Sequence, residues 1–566
     1  MTDIAEMLRS LDLTRADALP DLSALTATYA PGPAQASFWN ALLADVGFGE
    51  GGLKSRPGRL IELYADAVAR HAASKAIALS VLDARGDFRH LSFAELDSAA
   101  TACSAAWARE GLEPGQRVAL ALPMGVSWLI AFAAALRLGL SVSCLGSSWG
   151  EQAMQRRLHA LDPKRIVFDP AGPAPLAAFA ARALAIDRAS ASHAPPPRGY
   201  APTQIVIESF SSVREPVDQP SPVNAETALL WALRDARFAY RVGPNLGLAL
   251  PGFSHEQHQP AAILATLLAG ARYVELPTAL LQRAPFALAR PFITTLGVSP
   301  ALRDALRHTP AGPLPDLRGW LRSIDEPLDW TAWQDFVEKN ALGGVPAGNL
   351  LIDAASGGAL LISTRRSGLS HAFALPSPGV PFALSDLNSR AASVSESGAF
   401  QHGIKPDPKV PAWFLLVKRG PEYLYGGTLS PRRAGRVYSE PEVVECVSGL
   451  AGVDGACVVP VASNEPGSGW CFVLLVFVGA VPESAHAALA REAELAIRTR
   501  LGADFLPDRT LVFPVHARRE GDKLDVAWCR RQYFTGFLQR KGNLPVFRRL
   551  TALRAALKES LDHAVG

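Results

Sequence analysis

The sequence predicts an α/β fold with a large N-terminal domain and a small α+β domain at the C-terminus. Three observations support this prediction. Helical and strand patterns alternate from about residue 59 onward, glycine and proline cluster near residue 425, and the segment beyond that cluster carries its own strands and helices. Strands that alternate with helices of ten or more residues are typical of parallel α/β layers. We place the large domain at residues 1–427 and the small domain at residues 428–566.

The alternation is clearest in the first part of the large domain. The segments RLIELYADAVARHA, FAELDSAATACSAAWARE and SWLIAFAAALRLG have helical patterns, whereas AIALSVLD, GQRVALALPM, SVSCLGS and KRIVFD read as strands. The most apolar stretch, residues 128–146, contains Arg137 and predicts a buried helix followed by a strand rather than a membrane span. A linker rich in alanine, proline and serine follows at residues 190–203, and strand signals resume at QIVIESF.

The small domain begins after the glycine and proline cluster YGGTLSPRRAG, where we predict a hinge. Beyond it, PEVVECVSGL and AHAALAREAELAIRTRL predict helices, GACVVPV and WCFVLLVFVG predict strands, and a basic helical tail ends the chain. No internal repeat is visible. A segment of this length with its own strands and helices is large enough to form a separate domain.

Composition excludes several classes of protein. The 566 residues include 56 basic and 53 acidic residues without a long run of one sign, so nucleic acid is not an expected partner. The N-terminal segment has no apolar h-region, and we expect a cytoplasmic protein without a membrane partner. The six cysteines form no C-x-x-C pair, which predicts reduced thiols rather than disulfides or a zinc site.

Three stretches carry a resemblance to a known family. They are LRLGLSVSCLGSSWGEQAMQRRLHALDPKRIVFD, AASGGALLIS and ARREGDKLDVAWCRRQYFTGFLQRKGNLPVFRRLTAL. In order and spacing they resemble the acetoacetyl-CoA synthetases, members of the adenylate-forming (AMP-binding) acyl-CoA synthetase superfamily. The resemblance spans most of the chain from about Phe38 and implies a large AMP-binding-like domain with a small C-terminal lid.

The resemblance implies a phosphate-binding loop with the pattern S-G-T-T-G-x-P-K after a strand. Glycines in such a loop let the main chain approach the phosphate, and hydroxyl and lysine side chains bind its oxygens. This chain has SFSSVREPV in that place, so the hydroxyls of Ser211 and Ser212 remain but both glycines and the lysine are absent. An ordinary strand-to-turn connection is one interpretation. The other is an anion site in which Arg214 replaces the lysine.

A second signature of the family, S-G-G-T-D-I, is also incomplete. Ser356, Gly357 and Gly358 are present, but the threonine and aspartate are replaced by Ala359 and Leu360. The two glycines are compatible with a tight turn alone. The expected ribose-binding aspartate and the Y-G-R-S-D motif have no convincing equivalents. We therefore expect ATP and Mg²⁺ to bind weakly or not at all.

Lys523 in GDKLD matches the lysine that, in the family, assists adenylation. An exposed loop lysine with no catalytic role is the alternative interpretation. His255 and His258 in PGFSHEQHQP fall where the family has a substrate-pocket segment. Their spacing lacks the H-E-x-x-H pattern of a zinc helix, so hydrogen-bonded pocket histidines are favoured over a metal site.

Three hypotheses remain open at this point. The first is a degenerate synthetase that binds an acyl-thioester, with CoA or the phosphopantetheine of a carrier protein as its cofactor, and in which ATP-dependent adenylation is lost or altered. The second is an active ATP-dependent acid–thiol ligase with a phosphate site rebuilt from Ser211, Ser212, Arg214 and Lys523. The third is a non-catalytic scaffold or regulatory subunit.

Overall fold

The computed structural model describes the chain between residue 28 and residue 536 with several gaps. The described residues are 28, 32–49, 52–146, 149–168, 179–186, 194–212, 217–324, 330–363, 373–379, 382–385, 398–402, 414–419, 422–428, 431–433, 436–462, 470–479, 481–520 and 523–536. They form alternating helices and strands, which confirms the predicted α/β fold class.

The chain divides into two compact units. The larger unit contains Met1–Ser147, Arg156–Ser430 and Ala434–Val437, and the smaller contains Ser148–Gln155, Pro431–Arg433 and Tyr438–Gly566. The boundary that the sequence places between residues 427 and 428 stays a prediction. The strand Glu422–Thr428 of the larger unit pairs with strands on both of its sides.

The larger unit contains a six-stranded sheet. Its strands, in order across the sheet, are Ala183–Leu184, Arg165–Phe168, Arg117–Ala121, Ser141–Cys144, Ile205–Phe210 and Pro220–Asn224. The first five are parallel, and Pro220–Asn224 returns antiparallel to Ile205–Phe210. The antiparallel pair of Ile205–Phe210 and Pro220–Asn224 therefore forms one edge of this sheet.

A second sheet in the larger unit has thirteen strands. In order across the sheet they are Phe382–Ser385, Gly398–His402, Phe414–Arg419, Glu422–Thr428, Phe373–Pro376, Gly358–Ile362, Ala347–Asp353, Gly319–Ser323, Thr295–Val298, Gly247–Ala249, Arg272–Glu275, Ile77–Leu82 and Phe88–Ser92. The run from Ala347–Asp353 to Ile77–Leu82 is parallel, and the remaining pairs are antiparallel. The carboxyl ends of the parallel strands thus lie along one edge.

The order in which the chain adds strands to this sheet changes direction at Gly247–Ala249. The chain passes to Arg272–Glu275 on one side and then to Thr295–Val298 on the other side. Such a reversal opens a crevice at the carboxyl ends of the two strands, which is where ligands bind in α/β sheets. Glycines allow close packing here, because a Cβ atom on Gly252 would lie 2.2 Å from the Ser299 nitrogen.

Helices cover the sheets, and local sequence explains several of their ends. The helices are Pro33–Val46, Leu63–Ala67, Phe93–Arg109, Val126–Leu138, Glu151–Leu161, Ala225–Arg234, His255–His258, Ala261–Leu268, Thr278–Leu281, Pro300–His308 and Trp330–Lys339. Ser92 begins Phe93–Arg109 with a capping box that it forms with Glu95. The apolar stretch near residue 128 is the buried helix Val126–Leu138, and Gly139 ends it in the left-handed conformation.

The smaller unit has an α+β arrangement of its own. Its three-stranded sheet consists of Gly455–Ala462, Trp470–Phe477 and Arg509–Phe513, with helices Glu440–Ser448, His486–Arg500 and Val526–Phe534. Apolar side chains of this sheet and of the last helix, including Phe477 and Trp528, form its core. Among the described residues, no helix is both long enough and apolar enough to cross a membrane. The six cysteines are free thiols.

Candidate functional site

The two predicted loop serines lie at the end of the strand Ile205–Phe210. Ser211 and Ser212 are both buried, with exposed fractions of 4% and 2%. The main-chain oxygen of Ser212 accepts a hydrogen bond of 2.9 Å from the Val437 nitrogen. The Ser212 hydroxyl has no hydrogen-bond partner among the residues that the structure describes. Arg214, the predicted substitute for a phosphate-binding lysine, lies outside the described residues.

A buried aspartate joins the two serine motifs. Asp353 ends the strand Ala347–Asp353 and is fully buried. The Ser211 hydroxyl donates a hydrogen bond of 3.1 Å to one of its carboxylate oxygens. The Ser356 hydroxyl donates a hydrogen bond of 2.6 Å to the other. The structure therefore brings together two serines that are far apart in sequence, and both donate to the same carboxylate.

The Ser-Gly-Gly segment forms a tight turn between two strands of the large sheet. A short 3-10 helix, Ala354–Ser356, ends at Gly357, whose φ of 103° is in the left-handed region that favours glycine. A Cβ atom on Gly357 would lie 3.3 Å from the Trp231 ring. A Cβ atom on Gly358 would lie 2.1 Å from a carboxylate oxygen of Asp235. The packing around this turn leaves no room for a side chain at Gly358, and a side chain at Gly357 would press against the Trp231 ring.

A buried ion pair holds the strand that follows this turn. Arg234 donates to Asp235 from Nε at 2.7 Å and to the carbonyl oxygen of Ala359 from Nη2 at 2.9 Å. Asp235 accepts a hydrogen bond of 2.7 Å from the Ala359 nitrogen. Burial raises the pKa of Asp235, and the charge of Arg234 opposes that rise. The guanidinium of Arg234 also lies 4.5 Å from the centre of the Trp231 ring.

The two predicted pocket histidines have different environments. His255 Nε2 lies 3.4 Å from a carboxylate oxygen of Glu275, which ends a neighbouring strand. Burial alone would lower the pKa of His255, but the hydrogen bond and charge of Glu275, together with the charge of Glu256, outweigh burial and raise it. His258 is fully buried, and burial together with the nearby His255 lowers its pKa to about 3.

The hydrogen bonds of His258 define its tautomer. Its Nδ1 lies 2.8 Å from the carbonyl oxygen of Ser254, which can only accept a hydrogen bond. Nδ1 therefore carries the proton, and Nε2 accepts from the hydroxyl of Tyr273 at 2.8 Å. With both ring nitrogens bonded, His258 is not available to a ligand. His255 is the histidine with an exposed ring edge, because 38% of its side chain is accessible to solvent.

Three of the predicted groups converge at the carboxyl edge of the large sheet. The helix His255–His258 packs against the strand Ala347–Asp353 and against the turn Ala354–Ser356. The strand Ile205–Phe210 contacts the same turn. The loop serines, the Ser-Gly-Gly turn and the histidine helix thus surround one region of the larger unit. This is the edge at which α/β sheets bind ligands.

Lys523 belongs to the smaller unit. It begins the two-residue strand Lys523–Leu524, which pairs with Arg519–Glu520. Its side chain is exposed. The neighbouring Leu524 packs against the core of the smaller unit.

Sequence reasoning missed three residues that organise the site, namely Asp353, Arg234 and Asp235. A signal for Asp353 was present, because an aspartate that ends an apolar strand directly before Ser-Gly-Gly lies at the carboxyl edge of a sheet. Arg234 ends the helix Ala225–Arg234, and Asp235 follows it. Both are more than 120 residues before Ser356 in sequence, so their contact with Ala359 depends on tertiary structure.

Comparison with known proteins supports the same fold. Residues 65–230 match a family model described as AMP-binding enzyme. The amide bond synthetase McbA from Marinactinospora thermotolerans is 18% identical with a TM-score of 0.65, over 83% of this chain and 99% of that one. The ATP-bound RpMatB-BxBclM chimera B1 is 16% identical with a TM-score of 0.55, over 84% of this chain and 99% of that one. A search of curated protein sequences found no significant match.

Proposed function

We propose that this chain is a degenerate member of the adenylate-forming superfamily, similar to acetoacetyl-CoA synthetase, that binds an acyl-thioester and has lost or altered ATP-dependent adenylation. The match of residues 65–230 to the AMP-binding enzyme model and the shared fold support the superfamily. The three sequence stretches described above support the closer resemblance. CoA or the phosphopantetheine of a carrier protein is the cofactor that such a ligand would bring.

The loss of adenylation rests mainly on one observation, the two serine hydroxyls that donate to Asp353. A phosphate-binding loop must donate hydrogen bonds, because phosphate oxygens are acceptors. Here the hydroxyls of Ser211 and Ser356 already donate to a buried negative charge. The residues present therefore do not fit a phosphate group at this place.

The alternative is an active acid–thiol ligase with a rebuilt phosphate site. One observation favours it, because the buried Ser212 hydroxyl has no partner among the described residues and retains its hydrogen for a ligand. Arg214 and Lys523 would then supply positive charge. A scaffold or regulatory role without catalysis is the third candidate, and it shares the prediction of weak ATP binding with the first.

Isothermal titration with ATP and Mg²⁺ separates these proposals, together with pyrophosphate exchange measured with a panel of short acids. We expect no heat of binding below millimolar ATP and no exchange. Each lost charge-assisted hydrogen bond costs about 1.5–3 kcal/mol, so losing two or three weakens affinity by roughly 10²-fold or more. Micromolar ATP affinity with exchange would establish the active ligase instead.

The acyl-thioester ligand requires its own measurement. We expect titration with acetoacetyl-CoA or another short acyl-CoA to produce binding when ATP produces none. Because a structural relative is an amide bond synthetase, the exchange panel should be repeated with amines as acceptors. Binding of neither acyl-CoA nor an acyl carrier protein would favour the non-catalytic scaffold.

A further inference from the structure

We propose that a second ligand site lies in a cavity at the carboxyl edge of the six-stranded sheet, and that it binds a molecule with an apolar body and a carboxylate end, such as a medium-chain fatty acid. This edge cavity is lined by residues in the segments 81–89, 122–127, 168 and 183–186. None of the described residues that line it belongs to the loop serines, the Ser-Gly-Gly turn or the histidine helix. The inference is therefore independent of the proposed function.

The order of the strands explains why a cavity forms here. From the strand Arg117–Ala121 the chain passes to Ser141–Cys144 on one side. Arg165–Phe168 adjoins Arg117–Ala121 on the other side, and from it the chain passes away to Ala183–Leu184. Connections that leave two adjacent parallel strands in opposite directions open a crevice at the carboxyl ends of the strands, and ligands bind in such crevices. The lining of the edge cavity includes the last residue of one of these two strands and the first residue after the other, Phe168 and Leu122.

The size and the lining of the edge cavity favour an apolar ligand. Its volume is about 890 Å³, within the range of roughly 300–1,000 Å³ that is usual for small-molecule sites. Most of the side chains that line it are apolar, and they include Val81, Leu122, Met124, Phe168, Leu184 and Ile186. Transfer of hydrocarbon from water to such a surface is favourable, whereas a ligand with several charges would lose its hydration without gaining partners. A hydrocarbon chain is therefore a better occupant than a nucleotide.

A pair of charged side chains lies where the edge cavity meets solvent. Arg89 Nε lies 3.4 Å from a carboxylate oxygen of Asp83, and 75% of the Arg89 side chain is exposed. The other oxygen of Asp83 accepts hydrogen bonds from the main-chain nitrogens of Arg85 and Asp87, so Asp83 keeps two donors when Arg89 turns away. The positive end of the helix Val126–Leu138 lies in the wall of the same cavity. The Arg89 guanidinium can therefore bind the carboxylate of a ligand whose apolar body fills the cavity.

Isothermal titration with aliphatic ligands of different length and end group tests the site. We expect decanoate to bind, and hexanoate to bind at least about tenfold more weakly, because each buried CH₂ group contributes about threefold to fourfold in affinity. Decanol has the same chain without the carboxylate and should bind at least about fivefold more weakly than decanoate. Absence of decanoate binding by the wild type, or equal affinity for decanol and decanoate, would overturn the proposal.

Gly125→Trp should block the edge cavity. A Cβ atom on Gly125 would meet nothing within 4 Å beyond its neighbours in the chain, so the indole can enter the open space that this glycine lines. We expect the variant to bind decanoate at least about tenfold more weakly, because several CH₂ groups lose their buried contacts. Ala185→Trp, at another lining position, is the second blocking variant if the first does not melt cooperatively.

Gly343→Trp is the matched control for the blocking variants. Gly343 is exposed, a Cβ atom there would also meet nothing within 4 Å, and it is not part of the cavity lining. We expect this variant to bind decanoate as the wild type does. Full decanoate affinity in a blocking variant that melts cooperatively, or an equal loss in Gly343→Trp, would contradict the proposed location.

Arg89→Gln tests the contact with the carboxylate. We expect decanoate to bind at least about fivefold more weakly and decanol to bind as before, because only decanoate carries the charge that Arg89 binds. Arg85→Gln is the matched control, since Arg85 is an exposed arginine of the same hairpin that does not line the cavity. Equal losses of decanoate affinity in the two variants would contradict a role specific to Arg89. Failure of the proposed function is a separate result, because it would appear as pyrophosphate exchange by the wild type.

Discussion

The Asp235 carboxylate occupies the space that a side chain on Gly358 would need. A Cβ atom on Gly358 would lie 2.1 Å from Asp235 Oδ2, and the same oxygen accepts a hydrogen bond of 2.7 Å from the Ala359 nitrogen. Asp235 cannot move away easily, because it is buried and bonded to Arg234. The second glycine of Ser-Gly-Gly is therefore required by packing, whichever ligand binds nearby.

Gly358→Ala should destabilise the larger unit. The added methyl group would displace the Asp235 carboxylate, and overpacking of this kind costs about 1–3 kcal/mol. Chemical denaturation monitored by tryptophan fluorescence would measure the loss. The control is Gly344→Ala at an exposed position where a Cβ atom meets nothing within 4 Å. If the two variants were equally stable, the Asp235 carboxylate would be able to move aside without a loss of folding free energy.

The sequence predicted most of the larger elements, because their patterns are local. The buried helix Val126–Leu138 and the strand Ser141–Cys144 follow directly from an apolar run that ends at a glycine. RLIELYADAVARHA was predicted as one helix, but the structure has Leu63–Ala67 followed by the 3-10 helix Ala69–His71. At the break, Val68 is fully buried and has a non-helical φ of −127°.

The candidate site was predictable only in part, for a physical reason. Ser211 and Ser356 could be found because they lie in recognisable local patterns. The contact between Ser211 and Asp353 could not be predicted, because it joins the ends of strands in two different sheets. The same holds for Glu275, whose contact with His255 depends on the order of the parallel strands.

His258 should make folding stability depend on pH below neutrality. Burial lowers its pKa in the folded chain to about 3, below its ordinary value of 6.5. The unfolded chain therefore binds a proton that the folded chain does not, and stability falls as pH decreases from 6.5 towards 3. The slope contributed by this group is about 1.4 kcal/mol per pH unit. Urea denaturation at several pH values should show a shallower slope for His258→Asn.

Tyr273→Phe provides the control for this pH dependence. It removes the hydrogen bond to His258 Nε2 but leaves the buried ring in place. We expect this variant to be less stable at every pH while keeping the slope of the wild type. If His258→Asn and the wild type had the same slope, the imidazole would not be held neutral in the folded chain.

Lys523→Ala should leave folding nearly unchanged. The side chain is exposed on a two-residue strand, and exposed substitutions of this kind usually change stability by less than about 0.5 kcal/mol. Under the proposed function, neither the wild type nor the variant catalyses pyrophosphate exchange. Lys523→Arg keeps the charge and is the matched control. Exchange by the wild type that is lost in the alanine variant would contradict the proposed loss of adenylation.

Arg234→Met should destabilise the chain in a way that depends on pH. It leaves the Asp235 carboxylate buried without its counter-charge, and breaking a buried pair in this way costs about 3–5 kcal/mol. Burial already raises the pKa of Asp235 while Arg234 opposes the rise, so loss of Arg234 should raise that pKa further. A group whose pKa is raised on folding contributes stability at low pH that is lost as pH increases through the raised pKa. The stability gap between Arg234→Met and the wild type should therefore narrow as the pH decreases from 7.5 to 5.

Arg303→Met is the control for this pH dependence. Arg303 is also buried, but its partner Asp304 is 46% exposed, so Asp304 stays ionised in water without Arg303. A gap that stays constant with pH in Arg234→Met, as we expect in Arg303→Met, would show that Asp235 does not depend on Arg234 for its ionisation.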